Sequence, residues 1–433
     1  MSGRCKYPER YYWDDLHNQH SFKCDEAPLE SGYCLFHDPE FLNVKLADFK
    51  QRADKLISSF DKKIKNYFAK KEENWLFIGY IIPGFELRNV IISANVYFTA
   101  ARIRGNVEFK GVKFQGKVSF QGAHFEGNMQ VSDCEFAKAD FDNNTHFHGN
   151  TSITKSDFLE EVTFLSAIFF EDFSCSNVKF RKGAIFGYID SQKEAQFGST
   201  EFFGEAHFHM SKFKDLRFHE CVFYSTLAFN VTNSKRISLT TSTLNKIFFN
   251  SAKVKVLQFW QSKLQGETDF SSSEFTELVD FRKCEFNDHL NYENTTFGEV
   301  DFSYSYFRGS AHFIETKFLK PSFFNYTRFQ KPEDVIFQRV NLSRVSFVNT
   351  DLTRINFGEG VQFGDNDEFT TFDEKRLINY NNFKKENDRS RVNLGNVLSL
   401  YRGLRENYEY RLRYDEASKL FIKEMELRRN YKE

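Results

Sequence analysis

Four side chains near the amino terminus have the residue types of a metal site. Three cysteines and one histidine lie within the first 40 residues, namely Cys5, Cys24, Cys34 and His37. Three thiolates and one imidazole complete a tetrahedral shell around Zn²⁺ and leave no open position for a substrate. We therefore predict a structural zinc site that folds residues 1–40, a segment with no evident core of its own.

The spacing of these residues does not decide which histidine is the fourth ligand. Cys34 and His37 form a C-x₂-H step, which lets two neighbouring side chains bind one ion, whereas the other gaps are irregular. His17 or His20 could therefore take the place of His37. Three of the chain's seven cysteines lie in this short segment, which argues against a chance grouping.

The rest of the sequence carries no constellation that is typical of an enzyme. Phosphate-binding loops, dinucleotide-binding loops, nucleophile elbows and zinc-protease motifs are missing from any suitable strand or helix context. Several histidines occupy the outward position before a phenylalanine and are expected to be solvated or to form ladders between repeats, not to act as catalysts: His124, His146, His207 and His312. We predict that the protein is not an enzyme and has no small-molecule substrate.

A phenylalanine recurs every five or six residues over more than half of the chain. Alternate members form an 11-residue series: Phe114, Phe125, Phe136, Phe147, Phe158, Phe169 and Phe180. Two residues before each phenylalanine stands a small or β-branched residue, such as Val112 or Ala123, which shares one side of an extended strand with it. Glycines follow and would permit left-handed corners: Gly111, Gly116, Gly122 and Gly127. The repeated unit is therefore a short strand and a corner.

This pattern resembles the pentapeptide-repeat family over residues 85–363. The resemblance implies an all-β solenoid, a right-handed four-sided β-helix with a leucine or phenylalanine at the centre of each side. Many units here have six residues instead of five, so we expect 22-residue coils, about 13 in all. Units of exactly five residues return between Leu239 and Leu264, and we expect the cross-section or twist to change near residues 229–264.

Two stretches interrupt the repeat, and both are predicted to be loops. Residues 187–196 lack the phenylalanine, and residues 330–336 contain Pro332 and additional length. Loops on a regular scaffold are frequent places for partner contacts.

The array has open strand edges at its ends, so the flanking sequence should cap it. Residues 41–84 are predicted to form the first cap. Within them, residues 43–71 carry apolar side chains at helical spacing: Leu46, Phe49, Ala53, Leu56, Ile57, Phe60, Ile64 and Phe68. The apolar run from Trp75 to Phe85 is too short to span a bilayer and predicts a buried strand.

A polar linker over residues 364–393 and a helix pair over residues 394–433 complete the chain. The helix pair resembles a tetratricopeptide unit, with its pattern carried by Tyr401, Leu404, Tyr408, Ala417 and Phe421. One such unit cannot bury its own apolar face, so it must pack on the solenoid, on a second chain as a homodimer, or on a partner. The run Glu424–Arg429 is similar to a segment that precedes membrane helices in some pentapeptide-repeat proteins. No apolar stretch follows it, so we expect no membrane attachment unless the chain is part of a longer protein.

The charge balance and the positions of the cysteines limit the classes of partner and the cellular location that we expect. Lysine and arginine number 59 against 60 aspartate and glutamate residues, which indicates neither a nucleic-acid binder nor a strongly acidic surface. Cysteines in apolar repeat positions and an amino terminus without an apolar signal sequence favour a reducing, cytoplasmic location.

We predict a non-enzymatic scaffold that binds a protein or ribonucleoprotein partner through the solenoid and its terminal modules. A first alternative is a ribosome- or RNA-associated factor that docks through the zinc module and the basic carboxy-terminal helices. A second alternative, implied by the family resemblance, is a mimic of duplex DNA that modulates a type II topoisomerase.

Overall fold

The computed structural model describes residues 4–13, 19–43, 54–364, 369–383 and 392–431. Three residues of the predicted first helix, Leu46, Phe49 and Ala53, lie outside these ranges, as does His17. The chain divides into two packed units. The first contains Met1–Arg217 and Cys221–Ser225, and the second contains Phe218–Glu220 and Thr226–Glu433.

In the first unit the repeats fold as coils of a β-solenoid. Each short strand segment pairs in parallel with the equivalent segment of the next coil, so Phe125 pairs with Phe147 and Met129 pairs with Thr151. Each coil contributes four such segments, and backbone amides donate to carbonyls of the neighbouring coil, as His146 does to Ala123 at 2.9 Å. The predicted solenoid and its predicted coil length are confirmed here.

The strand segments of the first unit follow the repeat closely. They are Asn74–Leu76, Ile81–Ile82, Phe85–Arg88, Ile91–Ile92, Asn95–Tyr97, Arg102–Ile103, Val107–Lys110, Lys113–Ser119, His124–Phe125, Met129–Ser132, Glu135–Asp140, His146–Phe147, Thr151–Thr154, Asp157–Phe158, Val162–Thr163, Ile168–Phe169, Phe173–Ser176, Lys179–Phe180, Ala184–Ile185, Asp190–Gly198, Glu201–Phe202 and Ala206–His207. Two more strands, Lys212–His219 and Val222–Ala228, contain residues of both units.

Phenylalanine rings fill the interior of the coils as continuous stacks. The rings of Phe114 and Phe136 lie 5.0 Å apart, those of Phe136 and Phe158 4.9 Å, and those of Phe158 and Phe180 5.2 Å, all nearly parallel. Burial of one such side chain contributes about 1.5–3 kcal/mol to folding. The stacks therefore stabilise the coils and occupy the space in which a substrate pocket would have to form.

The corners of the coils fall into two kinds, and only one is left-handed. Gly111 and Gly122 have φ angles of +62° and +64°, as predicted. Gly116 and Gly127 do not adopt positive φ, so that part of the prediction is wrong. They are small for another reason: a Cβ on either would lie 2.5 Å from a backbone atom of the preceding coil.

Other residue types occupy most left-handed corners. They recur with the same spacing as the phenylalanine series, for example at Asn177, Tyr188 and Ser199. Their side chains point away from the packed interior, which explains why several large ones are exposed: Tyr188, Met210, Val231, Tyr304 and Tyr326. In the second unit the rings of Tyr304 and Tyr326 stack on successive coils, 4.8 Å apart.

Residues 187–196 do not form the predicted loop. Strand Asp190–Gly198 continues the ladder, with Ser191 opposite Phe169 and Phe197 opposite Cys175. Ser191 occupies the buried position of the missing phenylalanine. The coil keeps its path because parallel pairing uses backbone groups, which do not depend on the side chain.

The second unit is also a solenoid, with coils of variable length. Thr243 pairs with Lys263 and Thr268 pairs with Leu290, so the coil that starts at Thr243 is the shorter of the two. The predicted change near residues 229–264 is thus a shortening of the coil.

A lengthened coil follows further along the second unit. Ala311 pairs with Val335, and the coil between them is longer than either of the two coils above. The 3₁₀ turn Pro332–Asp334 accommodates the additional residues. This is the interruption predicted over residues 330–336.

The strands that follow Ala228 all belong to the second unit. They are Asn233–Thr240, Thr243–Phe248, Lys253–Gln258, Lys263–Leu264, Thr268–Asp269, Glu274–Asp280, Glu285–Phe286, Leu290–Asn291, Thr296–Asp301, Tyr306–Phe307, Ala311–Ile314, Lys317–Phe318, Ser322–Phe323, Arg328–Phe329, Val335–Gln338, Val345–Ser346 and Asn356–Phe357.

Helices flank the coils in both units. In the first unit, after a short helical turn at Glu40–Asn43, helix α1 spans Asp54–Lys70 and buries Leu56 and Phe60. In the second unit α2 spans Phe372–Phe383, α3 spans Leu394–Tyr410 and α4 spans Tyr414–Asn430. None of these described helices is long and apolar enough to cross a bilayer.

Helix α2 corrects the prediction that residues 364–393 are only a linker. Its carboxylate Asp373 is buried and accepts hydrogen bonds from the Ser346 hydroxyl at 2.5 Å and from the Phe347 amide at 3.0 Å. The helix is thus anchored through polar groups, and its sequence has no apolar stripe that would indicate it.

Candidate metal centre and an exposed helix face

The amino-terminal cysteines are positioned by a hairpin and a tight turn. Strands Arg10–Trp13 and Gln19–Phe22 pair antiparallel, and Cys24 follows the second strand. A turn at Gly32, with φ of +82°, returns the chain so that Cys34 bridges to Pro28. The His37 amide then donates to the Cys34 carbonyl at 3.0 Å. This last turn places the two side chains of the C-x₂-H step side by side.

The four predicted side chains meet in one buried cluster, which we call the Cys₃His cluster: Cys5, Cys24, Cys34 and His37. All four donor atoms lie within 4.8 Å of one another. The sulfurs of Cys24 and Cys34 are 3.6 Å apart, too far for a disulfide. Nδ1 of His37 lies 3.1 Å from the Cys34 sulfur and 3.7 Å from the Cys5 sulfur.

These distances suit one tetrahedral ion. Zn–S bonds of about 2.3 Å and a Zn–N bond of about 2.0 Å place two sulfurs about 3.8 Å apart and a sulfur and nitrogen about 3.5 Å apart. The sulfur–sulfur separation of 3.6 Å is close to the first value, and the sulfur–nitrogen separations of 3.1 and 3.7 Å lie on either side of the second. The donor set and its geometry therefore fit Zn²⁺.

His37 is oriented for this task by its surroundings. Its Nε2 lies 3.1 Å from the carbonyl oxygen of Ile78. Because a carbonyl only accepts, Nε2 carries the proton and Nδ1 presents its lone pair to the sulfurs. The ring of Tyr7 stacks on the imidazole at 3.8 Å, and Tyr80 meets it edge-on at 4.9 Å.

Burial makes three charged thiolates unfavourable here without a cation. A hydrogen bond from Cys34 lowers the pKa of Cys24 to about 5, and the same hydrogen bond, with burial, raises the pKa of Cys34. The Cys34 amide also donates to the Cys5 sulfur at 3.1 Å. A bound divalent ion would supply the charge that lets all three sulfurs act as thiolates.

The structure brings His37, and not His20, to the thiols. His20 lies on the exposed hairpin, where its ring stacks on Tyr12 at 5.3 Å. His17 lies outside the described residues. The deciding signal was the short spacing of the C-x₂-H step, which the turn at residues 34–37 requires.

The Cys₃His cluster is fixed to the first coil of the same unit. The ring of Phe36 stacks on Tyr80 at 4.7 Å, and the Ile81 amide donates to the Phe36 carbonyl at 2.7 Å. Phe60 of α1 packs beside it on Phe77, with ring centres 5.3 Å apart. The cluster and α1 together cover the first coil.

At the other terminus, α3 and α4 are held together by a buried carboxylate. Glu424 accepts hydrogen bonds from Arg402 at 2.8 Å, from Arg405 at 3.0 Å and from Arg428 at 2.7 Å. Charge-assisted hydrogen bonds of this kind are stronger than neutral ones. Four of the five residues that carried the predicted pair pattern are buried: Tyr401, Leu404, Tyr408 and Ala417.

The helix pair packs on the last coils of the second unit, which is one of the three predicted arrangements. Asn407 of α3 is buried, and its amide donates to the carbonyls of Leu352 at 2.6 Å and Ile355 at 2.8 Å. These hydrogen bonds satisfy carbonyls that a terminal coil would otherwise leave open.

The fifth residue of the pair pattern, Phe421, does not lie in the helix interface. It is 48% exposed, and beside it Ile422 is 57% and Met425 is 48% exposed. The Arg405 guanidinium lies 5.4 Å from the centre of the Phe421 ring. We call the surface of Phe421, Ile422 and Met425 the α4 face. It was missed from sequence because Phe421 matched an inward position of the pair.

Comparison with known proteins agrees with the coil architecture. A family model described as pentapeptide repeats (9 copies) matches residues 259–305, which form coils of the second unit. Residues 259–305 therefore have the sequence pattern of pentapeptide repeats.

One solved structure with similarity to this chain is HetL, from the cyanobacterium Nostoc. HetL is described as a pentapeptide repeat protein involved in heterocyst differentiation regulation. The two sequences are 13% identical, and the match covers 69% of this chain and 93% of HetL with a TM-score of 0.14. No curated protein sequence matches the chain.

Proposed function

We propose that this chain is a non-enzymatic scaffold that forms a homodimer through the α4 face. The observation that carries the proposal is the α4 face itself, because large apolar side chains in a contiguous exposed patch are typical of interaction sites. The helix that carries them is rigidly held by Glu424, so little conformational entropy is lost on binding.

A second copy of the chain fits this face by charge. The first turn of α4 is acidic and its last turn is basic. Asp415 precedes Ile422 by two helical turns and Arg429 follows it by two, so all three lie on one side of the helix. Two α4 helices that cross antiparallel at Ile422 would place each Asp415 opposite the Arg429 of the other copy. Such a self-complementary contact is the usual form of a two-fold dimer.

The test is the mass of the full chain in solution, measured by light scattering over a range of concentrations. Wild type should be a dimer, and Ile422→Glu should be a monomer. Leu319→Glu, which places the same charge at another exposed position, should remain a dimer. A wild type that is monomeric at every concentration contradicts the proposal.

Charge reversal tests the antiparallel arrangement. Asp415→Arg and Arg429→Asp should each weaken the dimer, and the double variant should restore it because both contacts are exchanged together. If Ile422→Glu dissociates the dimer but the double variant does not recover it, α4 is the interface in a different register.

We also propose that the Cys₃His cluster holds a structural Zn²⁺ that folds the amino-terminal segment. The fit of the donor set and distances supports this assignment. Elemental mass spectrometry of protein purified without chelator should give one zinc per chain. Cys34→Ser should lose it, whereas Cys134→Ser, a change at a buried free cysteine outside the cluster, should keep it. A zinc-free wild type would rule the assignment out.

The two nucleic-acid alternatives have less support. Acidic side chains of the coils lie beside basic ones of the neighbouring coil, as in Lys113–Glu135 and Lys253–Glu274, both at 3.7 Å. Such pairs neutralise the acidic stripe that a DNA mimic needs. In the helix pair, three arginines are engaged with Glu424, which leaves fewer free charges for phosphate.

The remaining cysteines favour the predicted cytoplasmic location. Cys134, Cys175, Cys221 and Cys284 are buried in the coils and form no disulfides. Free buried thiols are usual in a reducing compartment.

A further inference from the structure

The outer surface of the first unit brings three histidines together. His124 and His146 occupy the same outward position on successive coils, since they pair directly in the parallel ladder. His148 lies two residues beyond His146 and therefore projects from the same side of the extended chain. One ring nitrogen from each histidine lies within 4.8 Å of one from each of the others.

We propose that His124, His146 and His148 form a second metal site, which takes one borderline divalent transition-metal ion such as Zn²⁺ or Ni²⁺ through imidazole nitrogens alone. Imidazole is the preferred neutral ligand of these ions. The site is independent of the dimer and of the Cys₃His cluster, and it provides three protein ligands with room for water at the remaining positions.

The separation of the first two ligands already suits one ion. Nδ1 of His124 and Nδ1 of His146 are 3.1 Å apart. Two nitrogens bound at about 2.0–2.1 Å, at angles between octahedral and tetrahedral, lie about 2.8–3.4 Å apart. His148 is exposed, so rotation of its side chain can bring the third nitrogen in.

The same 3.1 Å separation also suits a hydrogen bond between the two imidazoles, in which one N–H donates to the other ring. That arrangement gives no role to His148, whose ring stacks on that of Phe170 with centres 4.6 Å apart. The third histidine is therefore the residue that separates the two explanations.

The neighbouring charged side chains limit the affinity of the three histidines for a cation. Arg102 and Arg104 both bind the Glu126 carboxylate, at 2.6 and 2.9 Å, so this group keeps one net positive charge near the histidines. This positive charge opposes a bound cation, so an affinity below that of the Cys₃His cluster is expected.

The chain offers a matched control in the second unit. His289 and His312 also lie on neighbouring coils, with ring centres 4.6 Å apart. They are only two, and Nδ1 of His289 is 2.7 Å from the Ser310 hydroxyl. Removing them changes as many imidazoles as removing His146 and His148, without touching the proposed site.

Equilibrium dialysis of the full chain against Zn²⁺ tests the proposal. Wild type should bind two equivalents with different affinities. His146→Ala/His148→Ala should lose the weaker one, whereas His289→Ala/His312→Ala should keep both. Cys24→Ser/Cys34→Ser should lose only the tighter one, so failure of the Cys₃His assignment is seen separately.

Two results would overturn the second site. One is unchanged zinc binding after the change at His146 and His148. The other is an equal loss after the change at His289 and His312, which would show that any surface pair of imidazoles binds the ion. Circular dichroism of each variant confirms that the coils remain folded, and His146→Gln/His148→Gln, which keeps polar side chains, should behave like the alanine pair.

Discussion

The amino-terminal and carboxy-terminal caps stabilise their coils by opposite means. Around the Cys₃His cluster, the four donor atoms of the described residues converge with no protein cation among them, so the zinc that we propose there would come from solution. Around Glu424, the protein supplies both charges itself. A cap that is stabilised by a bound ion loses that stability when a chelator removes the ion. The stability of a cap with internal ion pairs instead changes with mutation and pH.

Removal of the metal should give the largest effect. Structural zinc contributes about 10–16 kcal/mol to the folding of small zinc modules. Chelation should therefore release residues 19–43 to rapid amide hydrogen exchange, measured by mass spectrometry. Peptides from α3 and α4 should exchange as before. Equal loss of protection in both caps would mean that the two caps unfold together and not independently.

Truncation of the buried carboxylate of Glu424 should have the second largest effect on stability. Glu424→Ala leaves three guanidinium groups without their shared acceptor, and breaking a buried ion pair of this kind costs about 3–5 kcal/mol. Denaturant unfolding, followed by exchange in α4, should show the loss. Glu426→Ala, at an exposed position of the same helix, should change the free energy of unfolding by about 0.5 kcal/mol or less.

The pH response of the second cap should depend on Asp373. Burial raises its pKa above the ordinary aspartate value, although hydrogen bonds from Ser346 and the Phe347 amide and the charge of Arg376 act in the other direction. The folded state therefore holds the proton more tightly than the unfolded state. The contribution of Asp373 to stability should be greatest below the ordinary aspartate pKa and should fall as the pH rises through the raised pKa.

The control for this pH response is Asp373→Asn, which cannot titrate. The stability difference between wild type and this variant should change between acidic and neutral pH, as measured by denaturant unfolding at each pH. A difference that stays constant with pH would show that Asp373 does not titrate differently in the folded and unfolded states.

The smallest expected effect is an increase in the free energy of unfolding. Gly403 lies in α3 with a helical backbone and no neighbouring atom within 4 Å of an added Cβ. Gly403→Ala should stabilise the second cap by about 0.5–1 kcal/mol, because alanine loses less backbone entropy in a helix. The same change at Gly111, which has φ of +62° and an Asn89 oxygen at 2.4 Å from the added Cβ, should destabilise the coils.

Much of this architecture was predictable because it follows from side-chain periodicity. The phenylalanine series indicated the coils, and the cysteines and His37 indicated the cluster. The errors arose where backbone groups or polar anchors determine the structure. Ser191 continues a ladder that needs no ring, and Asp373 anchors a helix without an apolar stripe. Phe421 matched an inward position by spacing, while the rotation of α4 on α3 is fixed by Glu424.

The left-handed corners have a consequence for how this surface can change. Because the side chain of each such residue points outward, its identity is decoupled from the packing of the phenylalanine stacks. Tyr304 and Tyr326 show the result, two rings in register 4.8 Å apart on successive coils. Each row of corners is thus a line of independently replaceable positions with the pitch of a β-ladder. Substitutions along such a row can therefore create a new binding surface one residue at a time without changing the fold of the coils.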